Sequence, residues 1–433
     1  MLVRLFGKNF RSLRDPFELS MVAADLTNSQ DARRGVIEVP IKGADEPLRL
    51  LRAVAIYGHN ASGKSTILNA GRAIQRIVGL SGRLVSPGDS IMGYEPFLLN
   101  EEARNDSVEL GCDVVFENSI LRFHIKLRED EIVEELLSIL TEGSEVTLIN
   151  RKKGKEIKGD VFLNNGANQL YVKGMQPNVS VLSKLGVHGP ASGSETVRPY
   201  FKAIIRSLRF VDYSAASAVG VPFSNESDRF AADSDYRTWI MENLMQAADV
   251  GICDVEARQE QSARRYVTRS DEGKLVSRAR KDIVVSFQHT GISPQMIDFN
   301  NESSGTKKLF NIASDWWSLS HESITLLADE LSASLHPLLL DALIRAINDA
   351  PADQVRSQLV FATHDAGLME SRDGNPPALR RDQIYFAKKG IDGASELYSL
   401  TEFKDDARPV HNLRKRYMSG LYGAIPSVEH ISL

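Results

Sequence analysis

The sequence predicts an α/β fold whose head is built on parallel strands, and three observations predict it. First, Ala53-Val54-Ala55-Ile56-Tyr57 is an apolar run that reads as a buried strand, and it leads through the glycine-containing stretch from Gly58 to Thr66 into a helix-like pattern opening at Ile67. Second, Ser323-Ile324-Thr325-Leu326-Leu327-Ala328 is an apolar run ending in Asp329-Glu330. Third, Gln358-Leu359-Val360-Phe361-Ala362-Thr363 ends at His364-Asp365, with a helical pattern over 338–347 between these two runs. Strand, helix and strand in that order predict a right-handed crossover joining parallel strands. Parallel strands share one carboxyl edge, where ligands bind. The stretch at 58–66, the acidic pair and His364 are therefore expected to converge.

The elements follow in order. Residues 1–57 read as strands: Leu2, Arg4, Phe6 and Lys8 alternate with Val3, Leu5 and Gly7, and 17–22 suggests a second strand. Residues 28–34 are polar and read as a loop. Residues 108–116, 121–127 and 145–150 are strand-like and separated by polar turns. Residues 185–195, rich in Gly and Ser, read as a mobile loop. Helical patterns cover 197–208 and 236–248, and 264–281 is a strand–turn–strand candidate around Asp271-Glu272-Gly273. The motifs divide the chain into an N-terminal lobe over 1–100, an inserted α+β region over 101–290 and a C-terminal lobe over 291–433. No internal repeat or sustained heptad run is present in the sequence.

Gly58-His59-Asn60-Ala61-Ser62-Gly63-Lys64-Ser65-Thr66 fits G-x-x-x-x-G-K-[ST], the P-loop that cradles nucleotide phosphates. The loop opens a helix, whose unpaired N–H groups and dipole favour an anion. Lys64 is expected to reach the β- and γ-phosphates and the Ser65 hydroxyl to bind Mg²⁺. A carboxylate pair at the end of a buried strand is costly unless it holds a cation or water. Asp329 is expected to hold Mg²⁺ through its hydration shell, and Glu330 to orient or deprotonate the attacking water. His364, at the end of the next strand, is expected to contact the γ-phosphate or that water. The cofactors expected are ATP and Mg²⁺.

Ser303-Ser304-Gly305-Thr306 precedes an apolar helical pattern over 309–319 and forms a second anion-binding cap just upstream of the acidic strand. It resembles the signature motif of the ATP-binding-cassette superfamily. By that resemblance Ser303, Ser304 and Gly305 would bind, in trans, the γ-phosphate of ATP held on another protomer's P-loop. The fold implied is an ATP-binding-cassette-type P-loop head with mixed and parallel sheets and an inserted α+β domain. The long interval from residue 58 to residue 303 is unlike transporter cassettes. It resembles the chromosome-maintenance, RecF and overcoming-lysogenization-defect branch. Asn9-Phe10-Arg11-Ser12 resembles the first strand of those proteins, where Arg and Ser lie near the nucleotide; a surface Arg explains the tetrapeptide equally well.

Within that branch the chain resembles bacterial abortive-infection and anti-phage AAA-type ATPases. The residues that carry the resemblance are Pro96-Phe97, Glu302 to Thr306, Leu335-His336-Pro337, Thr363-His364-Asp365, Arg381 to Phe386 and Tyr422-Gly423-Ala424-Ile425-Pro426. There are departures. No glutamine occurs between Gln75 and Gln169, where transporter cassettes have their Q-loop, and Ser332 stands where relatives often have an acidic residue. Nuclease-bearing relatives append a TOPRIM domain, for which the residues after His364 are expected to be too few.

The composition sets outer bounds. The 433 residues are 42% hydrophobic and 25% charged, with a net charge of −5. These values suit a soluble globular protein and give no global sign of a nucleic-acid binder. Two distant cysteines, Cys112 and Cys253, show no metal-ligand spacing and read as core thiols of a reducing compartment. The N-terminus lacks the apolar region of a signal peptide, and no apolar run approaches the roughly 18 residues of a membrane span. A cytoplasmic location is expected. Arg264, Arg265, Arg269, Lys274, Arg278, Arg280 and Lys281 form the densest basic stretch, readable as a phosphate-backbone contact or, preferably, as a charged hairpin edge. Arg414-Lys415-Arg416-Tyr417 reads similarly. The expected function is that of the ATP-hydrolysing subunit of an anti-phage defence system. It would form a homodimer or higher homo-oligomer and control a separately encoded toxic effector, such as a TOPRIM-type nuclease. The alternatives are a RecF-like DNA-repair clamp, with DNA as the partner, and a non-hydrolysing ATP-bound scaffold.

Overall fold

Alternation builds the first sheet. In Ser119–Leu127 every second residue is buried, so Leu121, Phe123, Ile125 and Leu127 enter the core. On the other face Arg122 pairs with Asp113 and Lys126 with Glu109. The six strands are β1 (Leu2–Lys8), β2 (Phe17–Ser20), β6 (Val108–Phe116), β7 (Ser119–Leu127), β8 (Ile132–Thr141) and β9 (Ser144–Lys152), in the order β2-β1-β6-β7-β8-β9. Every pairing is antiparallel. A small antiparallel pair joins β3 (Val36–Val39) to β4 (Leu48–Leu51). The computed structural model describes all residues except 27–32, 164, 190, 215–229, 231–232, 247, 249–250, 270–274, 292–294, 334, 352–353, 373, 404–411 and 427–433. For 191–194, 259–269, 275–283 and 311 it describes the backbone alone.

Uniform burial marks the second sheet. Strands β5 (Ala53–Tyr57), β14 (Thr325–Asp329) and β15 (Gln358–Ala362) are buried at every residue, the pattern of parallel strands covered on both faces. With β10 (Arg209–Asp212), β16 (Ile384–Lys389) and β17 (Ser395–Ser399) the order is β10-β14-β15-β5-β16-β17. All pairings are parallel except the hairpin β16–β17. The expected parallel relation of β14 and β15, joined through helix α8 (Pro337–Asp349), is present. The fold is thus the expected mixed α/β head, with one antiparallel and one mainly parallel sheet.

Helix α1 (Lys64–Leu84) buries Ile67, Leu68, Ala70, Ile74, Ile77 and Val78 in a core shared with Leu5, Leu110, Leu327 and Val360 of the two sheets. At Gly71 a Cβ would stand 2.3 Å from Leu327 Cδ1, so a side chain there would force Leu327 of β14 to repack. The carboxyl end of α8 is closed by Arg52, which is almost fully buried. Its guanidinium donates to the carbonyls of Ile347 at 3.1 Å, Ala350, and Pro351 at 3.0 Å. The carbonyls of Ile347 and Ala350 are among those the helix end leaves unpaired.

By compactness the chain forms two units, 1–212 with 319–332 and 340–433, and 213–318 with 333–339. The second contains the antiparallel sheet β11 (Ile252–Arg269), β12 (Leu275–His289) and β13 (Gln295–Asp298), and most of helix α7 (Ser304–His321). Phe230, Phe287, Phe299 and Phe310 pack edge-on or tilted there, and Trp317 meets both Tyr236 and Trp239.

Several expectations change. Residues 185–195 are not a loop. They contain the end of α4 (Val181–His188) and the start of α5 (Ala191–Arg206), because Ser180 caps α4 and its chain keeps an apolar face despite Gly186. The helical pattern at 236–248 is α-helical only over α6 (Ser234–Ile240) and continues as a π-helix over Met241–Met245. Strand β8 has no counterpart in the sequence reading, since Glu134 and Glu135 break its alternation. Glu135 is nonetheless buried, accepting from Ser180 Oγ and the N–H groups of Val181 and Leu182 at 2.7–3.0 Å, and so closes the start of α4. The strand pair around residues 271–273 is present, but the side chains of the basic stretch from Arg264 to Lys281 lie outside the described residues, as does most of the expected loop at 28–34. In the short helix α9 (Leu413–Met418) Tyr417 is a core residue against Tyr57 and Phe386, and Arg414 pairs with Glu370. Short helices α2 (Glu101–Asn105) and α3 (Gly166–Val172) complete the first unit.

Candidate functional site

Strand β5 delivers Gly58 to the carboxyl edge of the parallel sheet, and the loop to Thr66 curls back over it. Gly63 precedes α1 with φ of 108°, and a Cβ there would press on Ser395 and Ser12. No side chain caps α1 and its first turn holds no acidic residue, so the helix start offers its N–H groups and positive dipole end to an anion. Ala61 also takes a left-handed conformation, φ 62°, usually reserved for glycine.

Within this loop Lys64 is buried, and its ammonium donates to the carbonyls of Gly58 at 2.8 Å and His59 at 3.0 Å. Desolvation pushes its pKa down to about 8, opposed by the charges of Glu330 and Asp329. The Ser62 hydroxyl is fully buried and finds no hydrogen-bond partner among the described residues. An orphaned hydroxyl in a phosphate-type loop is a group that a ligand oxygen would satisfy. His59 is half-buried with Nδ1 2.7 Å from the Asn60 carbonyl, and Asn60 is exposed.

The acidic pair arrives on β14. Ser65 Oγ donates to Asp329 Oδ1 at 3.0 Å. Burial holds the Asp329 carboxyl above the usual carboxylate range; the Ser65 hydrogen bond opposes this, and the charges of Asp212 and Glu330 add to it. A hydroxyl beside a carboxylate is a hard-oxygen pair of the kind Mg²⁺ takes, so the donor set fits that ion. Glu330 is exposed and turns the chain with φ 57°, a left-handed conformation that costs of order 1–3 kcal/mol for a non-glycine residue. His364 follows β15. Partial desolvation and then the Lys64 charge hold its imidazole below the ordinary range, with Glu330 opposing. The P-loop, Asp329, Glu330 and His364 therefore meet at one sheet edge, as the topology required.

Ser303, Ser304 and Gly305, expected from resemblance to form a signature cap, lie in the second unit. Ser303 and Ser304 are exposed at the start of α7. Ser303 Oγ accepts from the Thr306 N–H at 3.1 Å and lies 2.8 Å from Thr306 Oγ1, an N-cap in form. Gly305 has no atom closer than 3.8 Å to where a Cβ would stand.

Two residues near the site, Asp212 and Ser395, escaped sequence reasoning. Asp212 ends β10 in register with Asp329 and adds a third carboxylate. The short run Phe210-Val211-Asp212 repeats the apolar-then-acidic pattern of β14, which is the signal that could have found it. Ser12 Oγ donates to Thr66 Oγ1 at 3.2 Å and accepts from Ser395 Oγ at 2.9 Å, so both serines brace the loop. Arg11 makes a two-point contact with Glu95 instead.

This strand order and loop define a P-loop ATPase-type head. Residues 192–370 match the family model described as "AAA domain, putative AbiEii toxin, Type IV TA system". That stretch contains Ser303 to Thr306, the acidic pair and His364, and the expectation of an abortive-infection AAA-type ATPase agrees with the match. No curated protein matches the sequence. Among solved structures, the SMC head domain from Thermotoga maritima is 13% identical, with a TM-score of 0.39 over 92% of this chain and 98% of that one. The Smc head domain with an extended coiled coil, bound to the C-terminal domain of ScpA derived from Pyrococcus furiosus, is 13% identical, with a TM-score of 0.40 over 93% and 97%. Among the described residues no helix is long and apolar enough to cross a membrane.

Proposed function

We propose that the chain binds and hydrolyses ATP with Mg²⁺ at the edge formed by Gly58–Thr66, Asp329, Glu330 and His364. The observation that carries this reading is the 3.0 Å contact from Ser65 Oγ to Asp329 Oδ1, which joins the phosphate-type loop to the acidic strand end. The loop N–H groups and Lys64 would hold the β- and γ-phosphates, the ammonium exchanging its two loop carbonyls for phosphate oxygens. Ser65 and Asp329 would hold Mg²⁺, which when bound offsets phosphate charge. Glu330 would orient and deprotonate the attacking water, and neutral His364 would hydrogen-bond that water or the γ-phosphate.

The site is half of a pair in this reading. Ser303, Ser304 and Gly305 of a second copy would close over the γ-phosphate, so that ATP binding assembles a homodimer or larger homo-oligomer and hydrolysis releases it. The family match supports a defence role, in which the assembly restrains or triggers a separately encoded toxic effector of the abortive-infection type, a TOPRIM-type nuclease being the first to test. Residue chemistry supports the ATPase; the matched family's toxin–antitoxin description supports the defence role.

The test uses two variants. Glu330→Gln should slow turnover roughly 100-fold or more while binding ATP and accumulating an ATP-dependent oligomer in analytical ultracentrifugation. Lys64→Ala should lose ATP binding. Unchanged turnover in both would falsify the assignment. The neighbouring gene tests the effector: replication and recombination genes there would overturn the defence role.

A further inference from the structure

We infer that His289 is a positioning residue for the signature turn and acts through Glu302 on ATP held by a second copy of the chain. The inference rests on the composite-site reading above. The hairpin register sets it up: β12 ends at His289, which pairs with Gln295 at the start of β13. The chain then runs through a 3-10 turn over Phe299–Asn301 and brings Glu302 back beneath the end of β12. His289 Nε2 lies 2.7 Å from Glu302 Oε1, a hydrogen bond from ring to carboxylate. The Glu302 side chain is 4% exposed, whereas Ser303 and Ser304, next in sequence, are exposed.

The buried carboxylate needs a donor, and a lost donor is costly at a desolvated site. Glu302 N–H already donates to the Phe299 carbonyl at 3.2 Å, and Lys307 Nζ to the Asn300 carbonyl at 2.6 Å, so both sides of the turn are tied. Phe299 of the turn packs with Phe287 and Phe310, the three ring centroids lying 5.4–6.3 Å apart. The only side chain–side chain bond that fixes Glu302 among the described residues is the one to His289. Without it Glu302 must seek water, and the adjoining Ser303-Ser304 turn shifts with it. Donors aimed at a phosphate lose their effect with displacements of an ångström or less.

The closing experiment is complementation between full-length variants carrying two affinity tags, co-expressed and purified as mixed assemblies. His289→Phe alone should bind ATP with unchanged affinity but turn over about ten- to a hundredfold more slowly. His289→Gln, whose amide nitrogen reaches the same place, should recover most of the rate. Mixed with Lys64→Ala, His289→Phe should regain about half the wild-type rate, because one of two symmetric sites then has an intact loop and an intact turn. Ser304→Arg, mixed with Lys64→Ala, serves as the reference. Recovery with Ser304→Arg but not with His289→Phe overturns the role of His289 and leaves the composite site standing. No recovery with Ser304→Arg overturns the composite site and the role of His289 with it. A normal rate for His289→Phe alone also overturns the inference.

Discussion

Ser65 donates a hydrogen bond of 3.0 Å to Asp329, although the two stand 264 positions apart in the sequence. The bond spans the helix start after β5 and the end of β14, strands separated by β15 in the sheet. It ties the phosphate-type loop to the acidic strand and sets the spacing in which a cation would sit.

Asp329→Asn tests that pairing. The carboxylate is buried and lies near Asp212 and Glu330, so its folded pKa is raised. A raised acid pKa means that ionisation of Asp329 subtracts from folding stability as pH rises through that range. The nucleotide-free variant is therefore expected to melt at the same temperature as wild type or higher at neutral pH. Its Mg²⁺-dependent turnover should fall at least about 100-fold, as read by phosphate release beside scanning calorimetry.

The ammonium of Lys64 predicts a pH dependence. Its pKa in the free protein is about 8, and phosphate charge at the loop must raise it. Binding ATP above that pH then takes up a proton. Affinity should be greatest below pH 8 and weaken by about tenfold per unit above it, until the bound-state pKa is reached. Titration calorimetry in buffers of different ionisation enthalpy should register the uptake; a flat affinity from pH 7 to 9.5 would oppose it.

Backbone strain at Glu330 separates stability from function. With φ at 57°, glycine suits the position better than alanine. Glu330→Gly should exceed Glu330→Ala in unfolding free energy by about 1 kcal/mol, with both inactive. Equal denaturation midpoints would argue against strain at this turn.

Arg52 tests the scaffold under the site. Its guanidinium closes the end of α8, the helix leading into β15 and thus to His364. Burial lowers its pKa, so the charge is held at a cost that the three carbonyls offset. Arg52→Met should lower stability by about 3 kcal/mol, measured by urea denaturation. A change below 0.5 kcal/mol, the ordinary surface range, would mean that water replaces the guanidinium.

Much of the head was legible because its signals are local. The five buried residues of β5 and the glycine spacing after them depend on neighbours in sequence, as do the runs ending at Asp329 and His364. The same logic failed at 185–195, where glycine and serine suggested a loop but packing of α4 and α5 retained helices. It failed at Asp212 because a four-residue strand has too little pattern to stand out before its partner is known.

Sequence alone thus determined the P-loop, the acidic pair, the histidine after the next strand, the signature-like cap and their order on a parallel sheet. Each is a short motif whose chemistry follows from residue type and spacing. Only the tertiary structure decided which side chains meet: Ser65 with Asp329, Asp212 beside them, Ser12 against Thr66 and Ser395, and His289 against Glu302. Those contacts arise from strand order and register, which bring distant residues within hydrogen-bond reach and remove them from water. Desolvation there moves the Lys64 and Asp329 pKa values, a property that no spacing of letters contains.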